Sequence, residues 1–296
     1  MATALTSSQA AQRAARQMDA EKRRLEAVGI RHTATIGVRA RVAAIKAFKA
    51  GWSPAHAARH ALMQAVPTVA QGMLAAHIQG QITAQRRADR ALGRRRIAFS
   101  TAFDHAVAVL KAKADAMNID VAGGLFADAA DAAMSALADS LSSKVADALA
   151  EIGRLNLHAR GGIDILRSAF DAAGVTVKNP YQLETLYRNQ IGAAYAAGRL
   201  QVNSQPHIAP LIWGYEYSAV MDDRTRETHA ALDGVRKPKG DPFWLKYTPP
   251  WDWGCRCSTI EILVDDPDLA NDSGAFDRPP ADEGFAVNPV MELLGM

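Results

Sequence analysis

The sequence contains very little cysteine and few aromatic residues, and both shortages narrow the structures that it can form. Its two cysteines, Cys255 and Cys257, are separated by one residue. They make a poor disulfide framework, because a ring closed across one residue is tight and a reducing compartment opposes it. Aromatic residues make up 6% of the chain and hydrophobic residues 49%, with many alanines. This composition favours close-packed helices made of good helix formers.

Several other features are missing. No apolar run approaches the ~20 residues that a helix needs to cross a bilayer. The first residues are polar and basic, without an apolar segment followed by a cleavage site, so we expect synthesis in the cytosol without a standard secretion signal. The sequence also lacks a Gly-rich phosphate loop, a nucleophile elbow and a paired-carboxylate motif. We therefore predict a protein that is not an enzyme and that has no membrane partner.

Acidic residues are scarce in the N-terminal part of the chain. Residues 1–113 contain 19 Lys and Arg against 5 Asp and Glu, a net charge of +14, whereas residues 114–296 carry −11. Such a split indicates that the N-terminal part faces an anionic partner or the acidic surface of another protein. A solvated helical face in a basic protein explains the count equally well.

A group of six arginines concentrates this positive charge. Spacing by four residues places three of them on one ridge of a helix, where they could contact phosphates without reading base sequence. No aromatic residue is interleaved with them as a base-stacking platform requires, so docking on an acidic neighbour or plain solvation is the favoured alternative. The group consists of Arg86, Arg87, Arg90, Arg94, Arg95 and Arg96.

The pattern along the chain predicts a mostly α protein with a small α+β module at its C-terminal end. Ser53 and Pro54 form an N-cap and first-turn pair, and Gly174 ends a helix. Gly123 and Gly124 mark a boundary. The predicted helices cover about 11–48, 54–66, 67–96, 125–155, 163–173 and 181–200. The predicted regions are a basic helical region (1–115), a helical middle region (116–205) and the C-terminal module (206–296).

Residues 213–260 hold the most unusual residue order. Trp213, Tyr215 and Tyr217 alternate along a predicted strand with one buried face. Asp223 or Thr225 is expected to N-cap a short helix over about 226–232. A turn and a hairpin or loop follow, and the segment that contains the two cysteines leads into a second strand.

Three chemical interpretations of this region stay open. His229, Cys255 and Cys257 are zinc-type ligands, and Asp222 or Asp223 could supply a fourth, although Cys-x-Cys lacks the usual Cys-x-x-Cys reach. A cysteine nucleophile activated by His229 is formally available. The favoured interpretation is structural: the aspartates cap, His229 bonds to the Pro-rich loop and the cysteines pack as small apolar groups.

The order in which the aspartates, His229 and the two cysteines follow one another resembles that in the phage head morphogenesis family. Its members are the minor head proteins of the phage Mu F-like type. Residues 183–190 and 193–199 resemble the helix that precedes the family's C-terminal module, and residues 282–289 resemble its closing segment. The family usually has Asn where Gly254 stands, and often a cysteine near Thr228. The motif residues are Asp222, Asp223, Thr225, His229, Gly234, Pro250, Cys255, Arg256 and Cys257.

This resemblance implies a virion component, made in the cytoplasm of a bacterial host and bound in few copies inside the head near the portal. It implies the portal protein, capsid or scaffold proteins and packaged DNA without sequence specificity as partners. Its role would be the assembly of DNA-filled heads, with delivery alongside the DNA as an open possibility. No cofactor is expected apart from the open question of zinc. The alternatives are a Cys/His hydrolase or toxin-like effector, or a non-specific DNA-binding protein.

Overall fold

The structure, a computed structural model, describes residues 7–91, 120–155, 159–176, 179, 181–266, 272–274, 285 and 287–295. This part of the chain is mostly helical with a small antiparallel sheet, which confirms the predicted fold class. The helices are α1 (Ser7–Lys49), α2 (Pro54–Met63), α3 (Val66–Ala91), α4 (Asp120–Arg154), α5 (Ala159–Ala172), α6 (Tyr181–Asn203), α7 (Glu227–Ala230), α8 (Phe243–Tyr247) and α9 (Pro289–Leu293). The strands are β1 (Ile212–Ser218), β2 (Arg236–Pro238) and β3 (Ser258–Leu263).

Local chain signals set several helix ends as predicted. The Ser53 side chain accepts a hydrogen bond of 3.2 Å from the backbone N–H of His56, and Pro54 occupies the first turn of α2. Gly174 follows α5 with φ of +64°, a conformation that favours glycine because it has no Cβ. These two positions separate α1 from α2 and α5 from the segment that leads into α6.

The boundary predicted at Gly123 and Gly124 is wrong, because both residues lie inside α4. A glycine in a helix interior costs about 1 kcal/mol relative to alanine. Helix α4 is 35 residues long and consists largely of good helix formers, so it continues through the pair.

The described residues form two compact units, each built from separate segments of the chain. One unit takes its residues from segments 26–72 and 118–188. In this unit α2 packs against α4, and α4 packs against α5. Its core is made of large apolar side chains that are almost fully buried: Leu62, Phe126, Met134, Leu141, Leu166 and Phe170.

The other unit takes its residues from segments 1–25, 73–117 and 189–296. It therefore combines the C-terminal module with the first part of α1, the later part of α3 and most of α6. The alanines at 84 and 88 on α3 and Val202 on α6 belong to the same core cluster as the aromatic residues of the module. The three predicted regions 1–115, 116–205 and 206–296 remain a prediction from sequence.

The sheet has the order β2-β1-β3 with both neighbours antiparallel to β1. Tyr215 lies opposite Lys237 on β2 and opposite Glu261 on β3. The prediction for β1 was a strand with one buried face, but Glu216 and Ser218 on the other face are also buried, at 8% and 1% exposure. Strand β1 is therefore covered on both faces.

None of the helices that the structure describes combines the length and the apolar character that crossing a membrane requires.

Candidate functional site

The turn after β1 is organised by the carboxylate of Asp222. Its Oδ1 accepts hydrogen bonds from the backbone N–H of Arg224 at 3.1 Å and from the hydroxyl of Thr225 at 3.2 Å. The same carboxylate binds both terminal nitrogens of Arg256, one of them at 2.7 Å. The Arg256 guanidinium, with the local hydrogen bonds, holds the pKa of Asp222 well below its usual range. A bidentate charged pair thus joins this turn to the Cys-Arg-Cys segment.

The N-cap predicted for the next helix is wrong. Helix α7 begins after Arg226, and no side chain caps it. The Thr225 hydroxyl donates to Asp222 instead, so it closes the turn rather than the helix. Asp223 is exposed.

Helix α7 presents His229 to the interior, where the side chain is 3% exposed. Its ring stacks on Trp251 with a centroid distance of 4.5 Å. Nδ1 lies 3.4 Å from Cys257 Sγ and 3.3 Å from Tyr217 Oη. On the other side of the ring, Nε2 lies 2.9 Å from a terminal nitrogen of Arg226 and 3.5 Å from Asp252 Oδ2. Both ring nitrogens are therefore in polar contact.

The ligand atoms of His229, Cys255 and Cys257 all lie within 4.8 Å of one another, and we call these three residues the His-Cys cluster. Both cysteines are free thiols, with Cys257 buried and Cys255 half-buried. Burial raises the pKa of Cys255, but hydrogen bonds from Cys257 and His229 outweigh it and bring the pKa well below its usual range. Its thiolate in turn raises the pKa of Cys257, so the pair favours a single negative charge.

Two side chains that sequence reasoning missed hold the Cys-Arg-Cys segment in place. Lys22 on α1 is buried and donates to the carbonyls of Arg256 and Cys257 at 3.1 and 3.0 Å. Asn189 on α6 accepts a hydrogen bond of 2.9 Å from the backbone N–H of Gly254. No local pattern identifies Lys22, since a lysine in a basic helix is ordinarily solvated.

The backbone explains the residue type at position 254. Gly254 has φ of +66°, a left-handed conformation that glycine adopts freely and that asparagine tolerates better than most residues. Glycine at position 254 therefore satisfies this backbone requirement.

The structure places the remaining predicted ligands and motif residues in structural positions. Asp223 is not part of the His-Cys cluster, and Asp222 binds Arg256. Gly234 has φ of +79° and donates its N–H to the Tyr217 carbonyl at 2.8 Å, which closes the turn before β2. Pro250 follows a cis peptide bond and lies against Gly192 of α6.

A hydrolytic use of the cluster finds little support in the space around it. His229 lies between Cys257 and Asp252, which is the order of a nucleophile, a base and an orienting carboxylate. The adjoining cavity, however, has a volume of about 20 Å³, which accommodates roughly one water molecule. Cys257 itself is 5% exposed. The space beside the sulfur of Cys257 is therefore small.

The arginines of the predicted basic ridge fall into different environments. Arg86 and Arg90 are exposed on α3, whereas Arg87 Nε lies 2.7 Å from Glu261 Oε2. Arg94, Arg95 and Arg96 lie outside the described residues. The possible contact of this ridge with DNA or an acidic partner stays a prediction, and Arg87 already has an acidic neighbour inside the protein.

Glu261 on β3 is the centre of a buried charge network that sequence reasoning did not identify. Arg199 on α6 donates to its Oε1, and Asn203 donates to the same atom at 3.1 Å. Burial raises the pKa of Glu261, but the charges of Arg199 and Arg87 outweigh it and lower the pKa to about 2. A single charged residue in the apolar strand STIEIL was the available signal, since such a residue needs a partner.

A second cavity of about 760 Å³ lies beside this network, between α1, α3 and the sheet. Its lining mixes basic and acidic side chains, and none of the three residues of the His-Cys cluster takes part. The charged lining residues are Arg13, Glu21, Arg87, Arg90, Glu216, Glu261 and Asp266.

The C-terminal Asn-Pro pair anchors the end of the chain to the module. Asn288 caps α9 by accepting a hydrogen bond of 2.9 Å from the N–H of Val290. Its side-chain N–H groups donate to the carbonyls of Lys246 and Thr248 at 2.9 and 2.8 Å. This part of the closing segment thus has a structural function.

Comparison with known proteins gives two kinds of match. Residues 143–260 match the family described as Phage Mu protein F like protein. The Mu-like prophage FluMu F protein of Haemophilus influenzae is 41% identical over 94 residues, which cover 30% of this chain and 21% of that protein. The putative capsid assembly protein F of Escherichia phage Mu is 37% identical over 87 residues, 29% of this chain and 19% of that protein. The chain thus matches about a fifth of each relative's length. No solved structure matches the chain significantly.

Proposed function

Because residues 143–260 match the family described as Phage Mu protein F like protein, we propose that this chain is a minor head protein of a tailed phage or prophage. In this role it acts in the assembly of the phage head. The observation that carries the proposal is the 37% identity with a protein named for capsid assembly. Since the aligned part is about a fifth of that protein, the role of the whole chain rests on inference from its shared region.

The geometry of the shared region supports a structural role over a catalytic one. Asp222 and Arg256 bind each other, Gly234 closes a turn, and Pro250 packs on α6. His229 is buried beside a cavity that holds about one water molecule. These motif residues therefore make their contacts inside the protein, as expected of residues that maintain a fold.

The position that we propose is inside the head near the portal, in few copies. The charge distribution supports contacts of two kinds, because residues 1–113 carry +14 and residues 114–296 carry −11. The basic part suits packaged DNA or an acidic surface of the portal or scaffold, and the acidic part suits a protein surface of opposite charge.

Contact with packaged DNA is a separate part of the proposal, and it depends on exposed arginines. Arg13 and Arg16 on α1 and Arg86 and Arg90 on α3 are exposed. Arginine at a surface binds phosphate without reading base sequence. This kind of contact suits a protein that lies against packaged DNA of any sequence.

A binding experiment with the portal protein tests the proposed location. The full chain is immobilised and presented with the portal protein of the same phage or prophage, and with a tail protein of the same particle as the control. We expect the portal protein to be retained at physiological salt and the tail protein to pass through. Equal passage of both proteins at physiological and at low salt would contradict the portal location, while leaving the match to the family intact.

A further inference from the structure

We propose that His229, Cys255 and Cys257 bind one thiophilic divalent cation, with zinc as the best fit. The nitrogen and the two sulfurs lie within 4.8 Å of one another, and one imidazole with two thiolates is a ligand set that zinc prefers. This inference concerns the internal construction of the module, and it is independent of the role in head assembly proposed above.

The distance between His229 and Cys257 fits a tetrahedral ion. With bonds of about 2.3 Å to sulfur and about 2.05 Å to nitrogen, tetrahedral geometry places a sulfur and a nitrogen ligand ~3.6 Å apart. His229 Nδ1 and Cys257 Sγ are 3.4 Å apart. The Cys-x-Cys spacing is unusual for a zinc site. Here the turn at Gly254 brings both sulfurs near the histidine before β3 begins.

The surroundings of His229 provide an orienting partner for a ligand histidine. When Nδ1 binds a metal, Nε2 carries the proton and needs an acceptor, and a carboxylate is a common one. Asp252 Oδ2 lies 3.5 Å from Nε2 and is itself buried, at 2% exposure. Arg226, which lies near Nε2, also donates to the Trp253 carbonyl at 2.8 Å and pairs with Asp252 at 3.3 Å. Arg226 therefore keeps the Trp253 carbonyl and Asp252 as partners when Nε2 of His229 becomes a hydrogen-bond donor.

The charges around the cysteines also suit a bound cation. The cluster supplies two thiolates, so a divalent cation brings its net charge to zero. Both cysteines bind the ion as thiolates, and a proton that is still on sulfur is released to solvent. Lys22 donates to the backbone carbonyls of this segment and to the hydroxyl of Ser258, so its hydrogen bonds are made to oxygen atoms.

The fourth ligand is a water molecule in this assignment. The cavity of about 20 Å³ is lined by all three residues of the cluster and is large enough for one water. Asp223 is exposed and outside the cluster, and Asp222 is occupied by Arg256. The ion would join helix α7 to the segment before β3, where Trp251 already stacks on His229.

Metal content of the full chain tests this proposal. The purified protein is stripped with a chelator, reloaded with zinc and dialysed, and zinc per chain is measured by elemental analysis. We expect about one zinc per chain in the wild type and in the control variant Asp223→Asn. Cys255→Ser, Cys257→Ser and His229→Gln should each lose it. Circular dichroism of each variant separates loss of the ligand from loss of the fold.

Cobalt substitution gives a second measurement that a structural role alone would not change. Co²⁺ bound by thiolates has a charge-transfer absorption in the near ultraviolet, which either cysteine variant should weaken. Asp252→Asn, a change to a positioning residue, should keep this absorption and weaken the metal affinity by about 10–100-fold. Zinc well below one per chain in the reloaded wild type, or a thiolate band unchanged in both cysteine variants, would overturn the proposal.

Discussion

Glu261 shows how a single charged residue determines the acid stability of this protein. It is buried and accepts hydrogen bonds from Arg199 and Asn203, with Arg87 nearby. Its pKa of about 2 lies below the ordinary value of 4.5, since the two arginines stabilise the carboxylate more than burial destabilises it. A carboxylate with a lowered pKa stabilises the folded state above its unfolded pKa, and this contribution disappears as the pH falls through the folded pKa.

The first prediction concerns Glu261→Gln. At pH 7 we expect the free energy of unfolding to fall by roughly 3–5 kcal/mol, because the substitution leaves Arg199 buried without its counter-charge. The difference between wild type and variant should shrink as the pH falls from 4.5 to about 2, where the wild-type carboxylate becomes protonated. Urea denaturation at a series of pH values measures both effects.

Glu151→Gln is the matched control for this experiment. Glu151 also pairs with an arginine, Arg154, but the pair is exposed on one helix, so its contribution is screened by solvent. The free energy of unfolding of Glu151→Gln should therefore equal that of the wild type at every pH. A constant difference between Glu261→Gln and the wild type down to pH ~2 would show that the charge of Glu261 does not stabilise the fold.

At the scale of elements, the close contact between α3 and α6 depends on glycine. A Cβ at Gly198 would lie 2.1 Å from the His77 carbonyl oxygen, and one at Gly80 would lie 2.0 Å from the Tyr195 carbonyl oxygen. Both distances are far below van der Waals contact, and the opposing atoms belong to backbone that cannot move alone. These two helices therefore pack backbone to backbone at the glycines.

The second prediction is that Gly198→Ala destabilises the protein, although alanine is the better helix former. Overpacking at a rigid contact costs typically 1–3 kcal/mol, more than the ~1 kcal/mol gained in helix propensity. The control is Gly240→Ala, since a Cβ there would meet nothing within 4 Å. Thermal unfolding should show a lower midpoint for the first variant and a nearly unchanged one for the second. Equal midpoints would contradict the close packing of α3 on α6.

The third prediction separates the arginines of α3 by their environment. Replacing Arg86 and Arg90 together with glutamine should weaken the binding of double-stranded DNA by the full chain. The slope of log affinity against log salt should fall by about 0.9 per lost phosphate contact, roughly 2 in total. Arg87→Gln should leave the slope of log affinity against log salt unchanged. It should lower the free energy of unfolding, because Arg87 pairs with Glu261. Fluorescence anisotropy over a salt series measures the slope, and an absence of binding by the wild type at low salt would end the DNA proposal.

The sequence predicted those elements whose signals are local. Ser53 and Pro54 start α2, Gly174 ends α5, and the alternation of Tyr215 and Tyr217 marks β1. His229 and the two cysteines were candidates because their side chains bind metals. The prediction gave too much weight to the low helix propensity of Gly123 and Gly124. Helix α4 continues through the pair because most of its other residues are good helix formers.

The partners of buried charges could not be predicted, because they are distant in sequence. Lys22 reaches Cys257 across 235 residues, and Arg199 reaches Glu261 across 62. Neither pattern nor propensity carries information about such pairs. The sequence therefore identified the metal-binding residue types of the site. It did not identify the distant side chains that hold these residues in place.

At the scale of the whole chain, the C-terminal module is not built from the C-terminal residues alone. Lys22 on α1, Arg87 on α3 and Arg199 on α6 each supply a buried or half-buried contact to its strands or loops. Alanines of α3 belong to its core.

The fourth prediction follows from this construction. A fragment of residues 206–296 should lack a cooperative unfolding transition, because Glu261 would be left in an apolar environment without Arg199 and Arg87. The full chain should unfold cooperatively under the same conditions. Denaturant titration followed by tryptophan fluorescence compares the two, and a cooperative transition in the fragment would show that these contacts are dispensable.

The role in head assembly is tested most directly on phage heads themselves. Heads are purified from cells that produce the phage with this chain and from cells in which its gene is deleted, and their DNA content, infectivity and internal density are compared by cryo-electron microscopy. We predict few copies of the chain in each wild-type head. In the deletion we expect a loss of density at the portal vertex and fewer DNA-filled, infectious heads. Heads that fill, infect and keep all their internal density without the chain would contradict the account.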